Sequence, residues 1–261
     1  MSAVAVERVR TVWLDGVNPV TKVAMVIVLA APLLVSIDAV SAATALVLEL
    51  LGVPLTGLAY GVVVKRLVPV IVFAPVAAVS MLLYARPGGT VYGTFLFATV
   101  SDDSIALSLA VLLRVLALAL PIILIFGRTD PTELADALAQ VAKLPSRFVL
   151  GVLAGARTVG LFVDDWRTMS LARRARGLGD RGAIRRFFSM AFVLLVFAVR
   201  RGTKLATAME ARGFGSDIER TWARPSTVSR RDAVALGAAV VLIVVALAAA
   251  VVTGAFRVVG T

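Results

Sequence analysis

Two copies of one short motif carry the residues best suited to binding chemistry in this chain of 261 residues. The motif reads A-x-x-A-R-G-[L/F]-G; it begins at Ala172 and returns at Ala208. An arginine guanidinium presents five donors in a planar fork that matches a carboxylate. Two arginines, each held between an alanine and a glycine, predict a two-pronged docking device rather than a catalytic site.

Each motif is expected at the end of a long helix. Hydrophobic periodicity predicts one helix over about 146–176 that closes at Gly177, and another over about 185–212 that closes at Gly213. Glycine commonly follows the last helical residue because it adopts positive φ without a steric penalty. A single copy is explained as an ordinary helix cap, but two copies that share five of eight residues favour paired docking. The predicted docking residues are Ala175, Arg176, Gly177, Ala211, Arg212 and Gly213.

The composition is that of a polytopic membrane protein. Hydrophobic residues make up 60% of the chain and its mean hydropathy is +0.96, whereas about half of a soluble domain is apolar. The chain has no Cys and no His, which excludes thiol chemistry and the commonest general base and zinc ligands. It also lacks the P-loop pattern G-x-x-x-x-G-K-[ST]. We therefore expect a non-catalytic subunit with no cofactor of its own.

Long apolar segments predict an all-α polytopic fold with about five transmembrane helices. Spanning the hydrocarbon takes about 20 apolar residues as a helix. A further apolar run at 187–199 is short for a span, so an arrangement of six spans stays open. Between the fourth and last spans we expect two or three long cytoplasmic helices, the first starting at Asp130 and Pro131 and ending before Pro145. The predicted spans are 23–37 (with its start in 18–22), 39–64, 67–85, 104–127 and 233–256.

Charge predicts the domain organisation and the orientation. Residues 127–231 hold 19 Lys or Arg against 9 Asp or Glu, and basic loops stay cytoplasmic. This predicts an N-terminal transmembrane bundle at 1–126, a cytoplasmic helix module at 127–231, and a last span with its tail at 232–261. The N-terminus and a turn at 65–66 share the cytoplasmic side, whereas turns at 38–41 and 87–89 face outward. The start of the chain shows no cleavable signal peptide.

Two charged residues, Glu49 and Arg114, fall inside predicted spans. Intramembrane charges are costly, and they usually pair or face a cavity. Two interpretations stay open: a buried pair that fixes the register of the helices, or a role linked to transport.

With these motifs in place, the chain resembles a known family over nearly its whole length. Residues 18–22 (NPVTK) resemble the D-P-R-x-K stretch before the family's first span, with Asn for Asp and Val for Arg. Residues 129–131, Leu138 and residues 144–145 resemble the lead into its coupling helices, and residues 209–214 (MEARGF) closely match its second A-R-G motif. The family is the transmembrane T component of energy-coupling factor transporters, which includes the inner-membrane subunit of cobalt and nickel importers.

The resemblance implies a mechanism and partners. In this family the T component bridges two cytoplasmic ABC-type ATPases, which hold ATP and Mg, and a small membrane protein that captures the substrate. Arg176 would dock on one ATPase and Arg212 on the other. The substrate, a vitamin or a transition-metal ion, is not encoded here, and the expected location is the inner membrane of a prokaryote. An apolar stripe would contact the substrate-binding subunit, unless it packs within this chain; its residues are Phe187, Phe188, Phe192 and Phe197.

Whether the two ATPases are one chain or two also stays open. The motifs differ beside the docking arginine, where the first has Arg173 and Arg174 and the second has Met209 and Glu210. This change from basic to neutral and acidic indicates two unlike grooves.

Other functions are kept as alternatives. The permease of a conventional ABC importer carries one coupling loop, to which Glu210, Ala211 and Gly213 are faintly similar, and a membrane scaffold has no transport role. A membrane enzyme would depend on Asp164 and Asp165, but adjacent side chains on a helix point different ways. A basic cluster favours contact with anionic membrane lipid as a secondary role; it comprises Arg173, Arg174, Arg185 and Arg186. We expect no nucleic-acid partner.

Overall fold

The computed structural model describes residues 13–85, 88–95, 98–177, 182–215 and 221–256. These residues form eight α-helices and one β-hairpin. They divide into two compact units, a helix-bundle unit (residues 1–134 and 226–261) and a long-helix unit (residues 135–225). The helices are α1 (Pro19–Val35), α2 (Ala39–Gly52), α3 (Tyr60–Tyr84), α4 (Asp102–Phe126), α5 (Pro131–Gln140), α6 (Ser146–Ala175), α7 (Ala183–Glu210) and α8 (Arg230–Val252).

Small residues let the helices of the bundle unit pack closely. One core cluster joins α1, α2, α4 and α8, where Ala45, Ala117 and Ala246 are fully buried among larger side chains such as Leu33. Small side chains allow backbones to approach, which strengthens packing between membrane helices. A second cluster joins α3 and α4 around Val63 and fully buried Leu120, with Val53 after α2.

Local capping signals set where the bundle helices begin. Asn18 caps α1, with Pro19 at the first helical position. Ser101 caps α4 and exchanges hydrogen bonds with Ser104 in a capping box. Ser229 and Asp232 form the same arrangement at α8. Each box satisfies two of the backbone N–H groups that a helix start leaves unpaired.

The all-α polytopic fold is confirmed, but the second predicted span was wrong. Helix α2 ends at Gly52, a 3-10 turn occupies Val53–Thr56, and Gly57 takes φ +67° before α3 begins at Tyr60. Apolar residues continue across this break, so the hydropathy pattern does not reveal it. The positions 65–66 that were expected in a turn therefore lie inside α3.

Five helical segments of the described residues are long and apolar enough to cross a membrane, but they are not the five predicted. The first predicted span corresponds to Pro19–Val35, which has 17 residues and is shorter than a full span. The residues 146–175, expected to form a cytoplasmic helix, qualify instead by length and composition. The run at 187–199 is the middle of α7, which does not qualify. The five candidates are Ala39–Thr56, Tyr60–Tyr84, Asp102–Phe126, Ser146–Ala175 and Arg230–Val252.

The connections between the helices can be compared with the predicted turns and helix starts, and they include one hairpin that was not predicted. The tight turn lies at 36–38 rather than at the predicted 38–41, because Asp38 is the cap of α2 and residues 39–41 are its first helical residues. Helix α5 begins at Pro131, and the Asp130 side chain accepts from the Thr132 N–H at 2.7 Å, as a helix start requires. The connection after α3 contains an antiparallel hairpin of β1 (Val91–Phe95) and β2 (Ala98–Ser101), which the sequence pattern did not predict. Residues 1–12, at the start of the chain where no cleavable signal peptide is expected, lie outside the described residues.

Candidate docking site

The two A-R-G motifs belong to helices that run in opposite directions and contact each other. The Arg173 guanidinium near the end of α6 donates to the Ser189 hydroxyl near the start of α7 at 2.7 Å. Farther along, Arg201 of α7 pairs with Asp165 of α6, with 2.8 Å between Nη1 and Oδ2. The second contact lies nearer the start of α6 and nearer the end of α7 than the first contact does. The two helices are therefore antiparallel.

Aromatic packing strengthens this pair at one place. The ring of Trp166 lies 5.5 Å from that of Phe187, and Phe187 meets Phe188 edge-to-face at 5.6 Å. Arg201 also lies over the Phe162 ring, 5.7 Å from its centre. Aromatic pairs of this geometry contribute about 0.5–1.5 kcal/mol beyond burial. The two helices therefore pack over 162–173 and 187–201, and both helices extend beyond these contacts.

The first motif closes α6 as its sequence predicts. Ala175 is the last helical residue, and the Arg176 N–H still bonds to the Ala172 and Arg173 carbonyls. Gly177 takes φ +71°, and its N–H donates to the Arg174 carbonyl at 3.0 Å. A left-handed residue after the helix turns the chain away, which leaves the arginine at the tip. Leu178 and Gly179, the tail of this motif, lie outside the described residues.

The second motif has the same backbone geometry after α7. Gly213 takes φ +77°, and its N–H donates to the Glu210 carbonyl at 2.9 Å. The Phe214 N–H reaches back to the Met209 carbonyl at 3.0 Å. Together these bonds form a Schellman motif, in which Met209 and Phe214 occupy the two positions whose side chains usually meet. Both are half-buried, whereas Ala211 and Arg212 are exposed.

The two arginines are therefore presented in equivalent positions, far apart along the helix pair. Neither Arg176 nor Arg212 bonds to another side chain of the described residues, and both are exposed. The bond between Arg173 and Ser189 places the first motif beside the start of α7. From Ser189 to Arg212 the chain rises by roughly 35 Å at about 1.5 Å per helical residue, which is the separation of the two motifs along α7. Such a spacing suits two separate grooves rather than one binding site.

The aromatic stripe of α7 is only partly used inside the chain. Phe187 packs on Trp166, yet it is still 54% exposed. Phe188 and Phe192 are 67% and 66% exposed, and Phe197 is 37% exposed. Packing within the long-helix unit therefore covers little of this surface.

The structure does not pair the two predicted intramembrane charges with each other. Glu49 lies in the last turn of α2 beside an apolar cavity of about 370 Å³, and neither carboxylate oxygen has a hydrogen-bond partner among the described residues. The opposite charge that acts on Arg114 is Asp38, the cap of α2. Because the second predicted span ran past the true end of α2, Glu49 looked more central than it is.

A polar cluster that the sequence reading missed ties the start of α1 to the start of α8. The Asn18 N–H donates to Asp232 at 2.6 Å, and its side-chain amide donates to Ser226 at 2.9 Å and to the Thr227 carbonyl at 3.1 Å. Both Asn18 and Asp232 are buried. The Asn-Pro start of α1 and the S-x-x-D box of α8 are readable locally. Their contact across 214 positions is not.

The two adjacent acidic residues of α6 lie beside different arginines. Asp165 pairs with Arg201, while Asp164 lies 3.9 Å from Arg167 on its own helix. No group of three or more His, Cys, Asp or Glu with metal-binding geometry occurs among the described residues. The two adjacent carboxylates thus serve different arginines, as their positions on a helix predict.

Residues 10–222 match the family described as CbiQ, cobalt transport protein. The chain belongs to this family. Three relatives are each named energy-coupling factor transporter transmembrane protein EcfT. The one from Limosilactobacillus fermentum is 29% identical over 167 residues, 59% of this chain and 62% of the relative. That from Brevibacillus brevis is 25% identical over 245 residues, 89% and 92% of the two chains. That from Lacticaseibacillus paracasei is 30% identical over 202 residues, 72% and 75%.

The family assignment confirms the resemblance that the motifs carried. The chain is a transmembrane component of the energy-coupling factor type, and it is a multi-pass membrane transport subunit. This assignment favours the T component over the permease of a conventional importer. The matched region 10–222 includes both A-R-G motifs.

Proposed function

We propose that this protein couples two cytoplasmic ABC-type ATPases to a small substrate-binding membrane subunit. One observation carries the proposal: two exposed arginines stand at equivalent glycine-closed helix ends, roughly 35 Å apart along the helix. Arg176 docks on one ATPase and Arg212 on the other. ATP and Mg belong to those partners, and the T component itself performs no chemistry.

The exposed aromatic stripe of α7 is proposed as the contact for the substrate-binding subunit. Phe188 and Phe192 leave about two thirds of their surface uncovered, and large exposed apolar surface rimmed by polar residues commonly marks a protein or membrane contact. ATP-driven movement of the docked ATPases would shift α6 and α7 and so tip that subunit in the membrane. The imported substrate would be a vitamin or a transition-metal ion.

The charge distribution supports one orientation. The excess of Lys and Arg at 127–231 favours the cytoplasm for the docking helices. The N-terminus would lie on the same side, in the inner membrane of a prokaryote, and the basic residues near the first motif would also contact anionic lipid headgroups.

Affinity purification of the tagged protein from its native membranes in mild detergent tests this function. We expect two ABC-type ATPase chains and one small hydrophobic protein per copy, and the small protein would indicate the substrate. Charge reversal by Arg176→Glu or Arg212→Glu should remove the ATPase at that motif, because truncating one partner of a buried charged pair costs about 2–5 kcal/mol. Insertion and expression should be unchanged.

The matched control is Arg200→Glu, a charge reversal at an exposed arginine in the middle of α7. This variant should keep both ATPases. Full retention of the ATPases and of transport by both motif variants would refute the docking assignment. Recovery of the protein with no ATPase at all would mean that the two A-R-G motifs are only helix caps. It would favour a membrane scaffold with no transport role.

A further inference from the structure

The helix-bundle unit contains an apolar cavity of about 370 Å³ for which the proposed coupling role has no use. Residues of α1, α2, α4 and α8 line it, together with Trp13 and Leu14 from the short 3-10 turn before α1. All of its lining residues belong to this one unit. Small-molecule sites in proteins typically have volumes of about 300–1,000 Å³, so the cavity is large enough for a small ligand.

Glu49 is the one charged side chain among the described residues that line this cavity. It is only 4% exposed, and neither carboxylate oxygen has a hydrogen-bond partner or an ion pair among the described residues. The nearby Thr56 hydroxyl is already used, since it donates to the Val53 carbonyl at 2.7 Å. A buried carboxylate is costly unless a partner satisfies it. The cavity therefore presents one unsatisfied acidic group on an apolar wall.

The composition of the wall rules out the simplest partners for this carboxylate. A divalent cation such as Ca²⁺ takes about six or more oxygen ligands, and the described walls supply far fewer. A buried water needs about 2–4 polar partners, which apolar side chains do not offer. An anion would be repelled by Glu49. The group that fits carries its own hydrogens and a positive charge, and it is attached to an apolar body.

We propose that the cavity binds a lipophilic amine, whose ammonium group donates to Glu49 and whose hydrocarbon body lies among the side chains of α1, α4 and α8. An ammonium group has three hydrogens to donate and neutralises the carboxylate, and charge-assisted hydrogen bonds of this kind are the strong ones. Trp13, Leu55 and Ala238 line the cavity and are also exposed, so the ligand can enter from the apolar surface of the bundle. A phospholipid with an amine head group fits less well, because its phosphate would lie close to Glu49. This inference does not depend on ATPase docking.

Binding to the full chain in nanodiscs of phosphatidylcholine tests the inference, with decylamine and decanol as probes of equal chain length. At neutral pH decylamine is protonated, whereas decanol is uncharged. Trp13 lines the cavity, so its fluorescence reports occupancy, and Trp13→Phe identifies its share of the signal. Glu49→Gln keeps the size of the side chain and removes its negative charge. We expect the preference for decylamine over decanol to fall about ten- to a hundredfold in this variant, as the loss of a charge-assisted hydrogen bond predicts.

Two further variants serve as controls. Gly52→Leu adds a side chain at a lining position where a new Cβ would meet no heavy atom within 4 Å. It should occupy part of the cavity and weaken the binding of both probes together. Glu133→Gln removes an exposed carboxylate in the first turn of α5, which does not line the cavity, and it should change neither probe. Because every variant is measured in the same lipid, partition of the probes into the bilayer cancels in the comparison.

Three outcomes would overturn the inference. An unchanged preference in Glu49→Gln would show that the cavity accepts any apolar chain and that the carboxylate does not recognise the amine. Unchanged binding of both probes to Gly52→Leu would place them outside the cavity. If the complex recovered from native membranes excludes the decylamine that the isolated chain binds, a side chain of a partner subunit fills the cavity. None of these outcomes bears on ATPase docking, which is tested by ATPase retention alone.

Discussion

Replacing Asn18 by Asp restores the residue of the family's D-P-R-x-K pattern, and we expect it to destabilise this protein. The side chain of Asn18 does two jobs. Its oxygen accepts from the Val20 N–H at 2.9 Å and caps α1, while its amide donates to Ser226 and to the Thr227 carbonyl. Aspartate keeps the cap, but it has no hydrogen to donate. It also places a second carboxylate next to Asp232.

The expected loss can be estimated from these contacts. Two hydrogen bonds are worth about 0.5–1.5 kcal/mol each. The Asn18 N–H lies 2.6 Å from the Asp232 carboxylate, so the two carboxylates would be about 6 Å apart. At an effective dielectric constant of about 20 their repulsion is roughly 3 kcal/mol. Both residues are buried, so water screens little of it, and the total is about 4–6 kcal/mol.

Thermal unfolding of the full chain in detergent, followed by tryptophan fluorescence, measures this loss. One kcal/mol lowers Tm by about 2–4 °C in a unit of this size, so Asn18→Asp should lower it by at least about 8 °C. Asn18→Ser is the matched control, since it keeps a capping oxygen and removes the amide donors without adding charge; it should cost only about 1–3 kcal/mol. A melting temperature of Asn18→Asp equal to that of the wild type would refute this account of the cluster.

Two further predictions concern the docking helices. Gly177→Ala should cost about 1–2 kcal/mol locally, because Gly177 takes φ +71°, and it should weaken ATPase retention by misdirecting the preceding arginine. Gly202→Ala, at an equally open position inside α7, should instead stabilise the helix by up to about 1 kcal/mol and leave retention unchanged; equal effects of the two on retention would contradict the geometry. Arg201→Ala should lower the free energy of unfolding by about 1–2 kcal/mol through loss of the Asp165 ion pair and the Phe162 contact. In a double-mutant cycle with Asp165→Ala, a coupling energy of zero would show that the pair contributes nothing.

The local sequence was sufficient for several features of the candidate site. Glycines at 177 and 213 marked the ends of α6 and α7 within a residue or two, because positive φ is a property of the residue itself. Asp130 with Pro131 marked the start of α5 in the same way. The repeated A-R-G pattern indicated equivalent presentation of two arginines, and both helix ends have that geometry.

Contacts between residues far apart in the chain could not be predicted from these local signals. Apolar residues run through the break between α2 and α3, so hydropathy does not reveal it. Because of this break, Glu49 lies near the end of α2 and not in the middle of a span, as the sequence had predicted. Asp38 rather than Glu49 is the carboxylate that acts electrostatically on Arg114, because the packing of α4 against α2 decides which charges come near it.

The amino-acid sequence alone determined the membrane class, the absence of cysteine and histidine chemistry, the ends of the docking helices and the charge difference between them. These follow from residue type and from neighbours within one or two helical turns. The fold added the contact of Asn18 with Asp232, 214 positions away, and the antiparallel course of α6 and α7 that separates the two arginines. Such contacts form only when packed helices bring distant residues together, and no local preference encodes which distant residues those are.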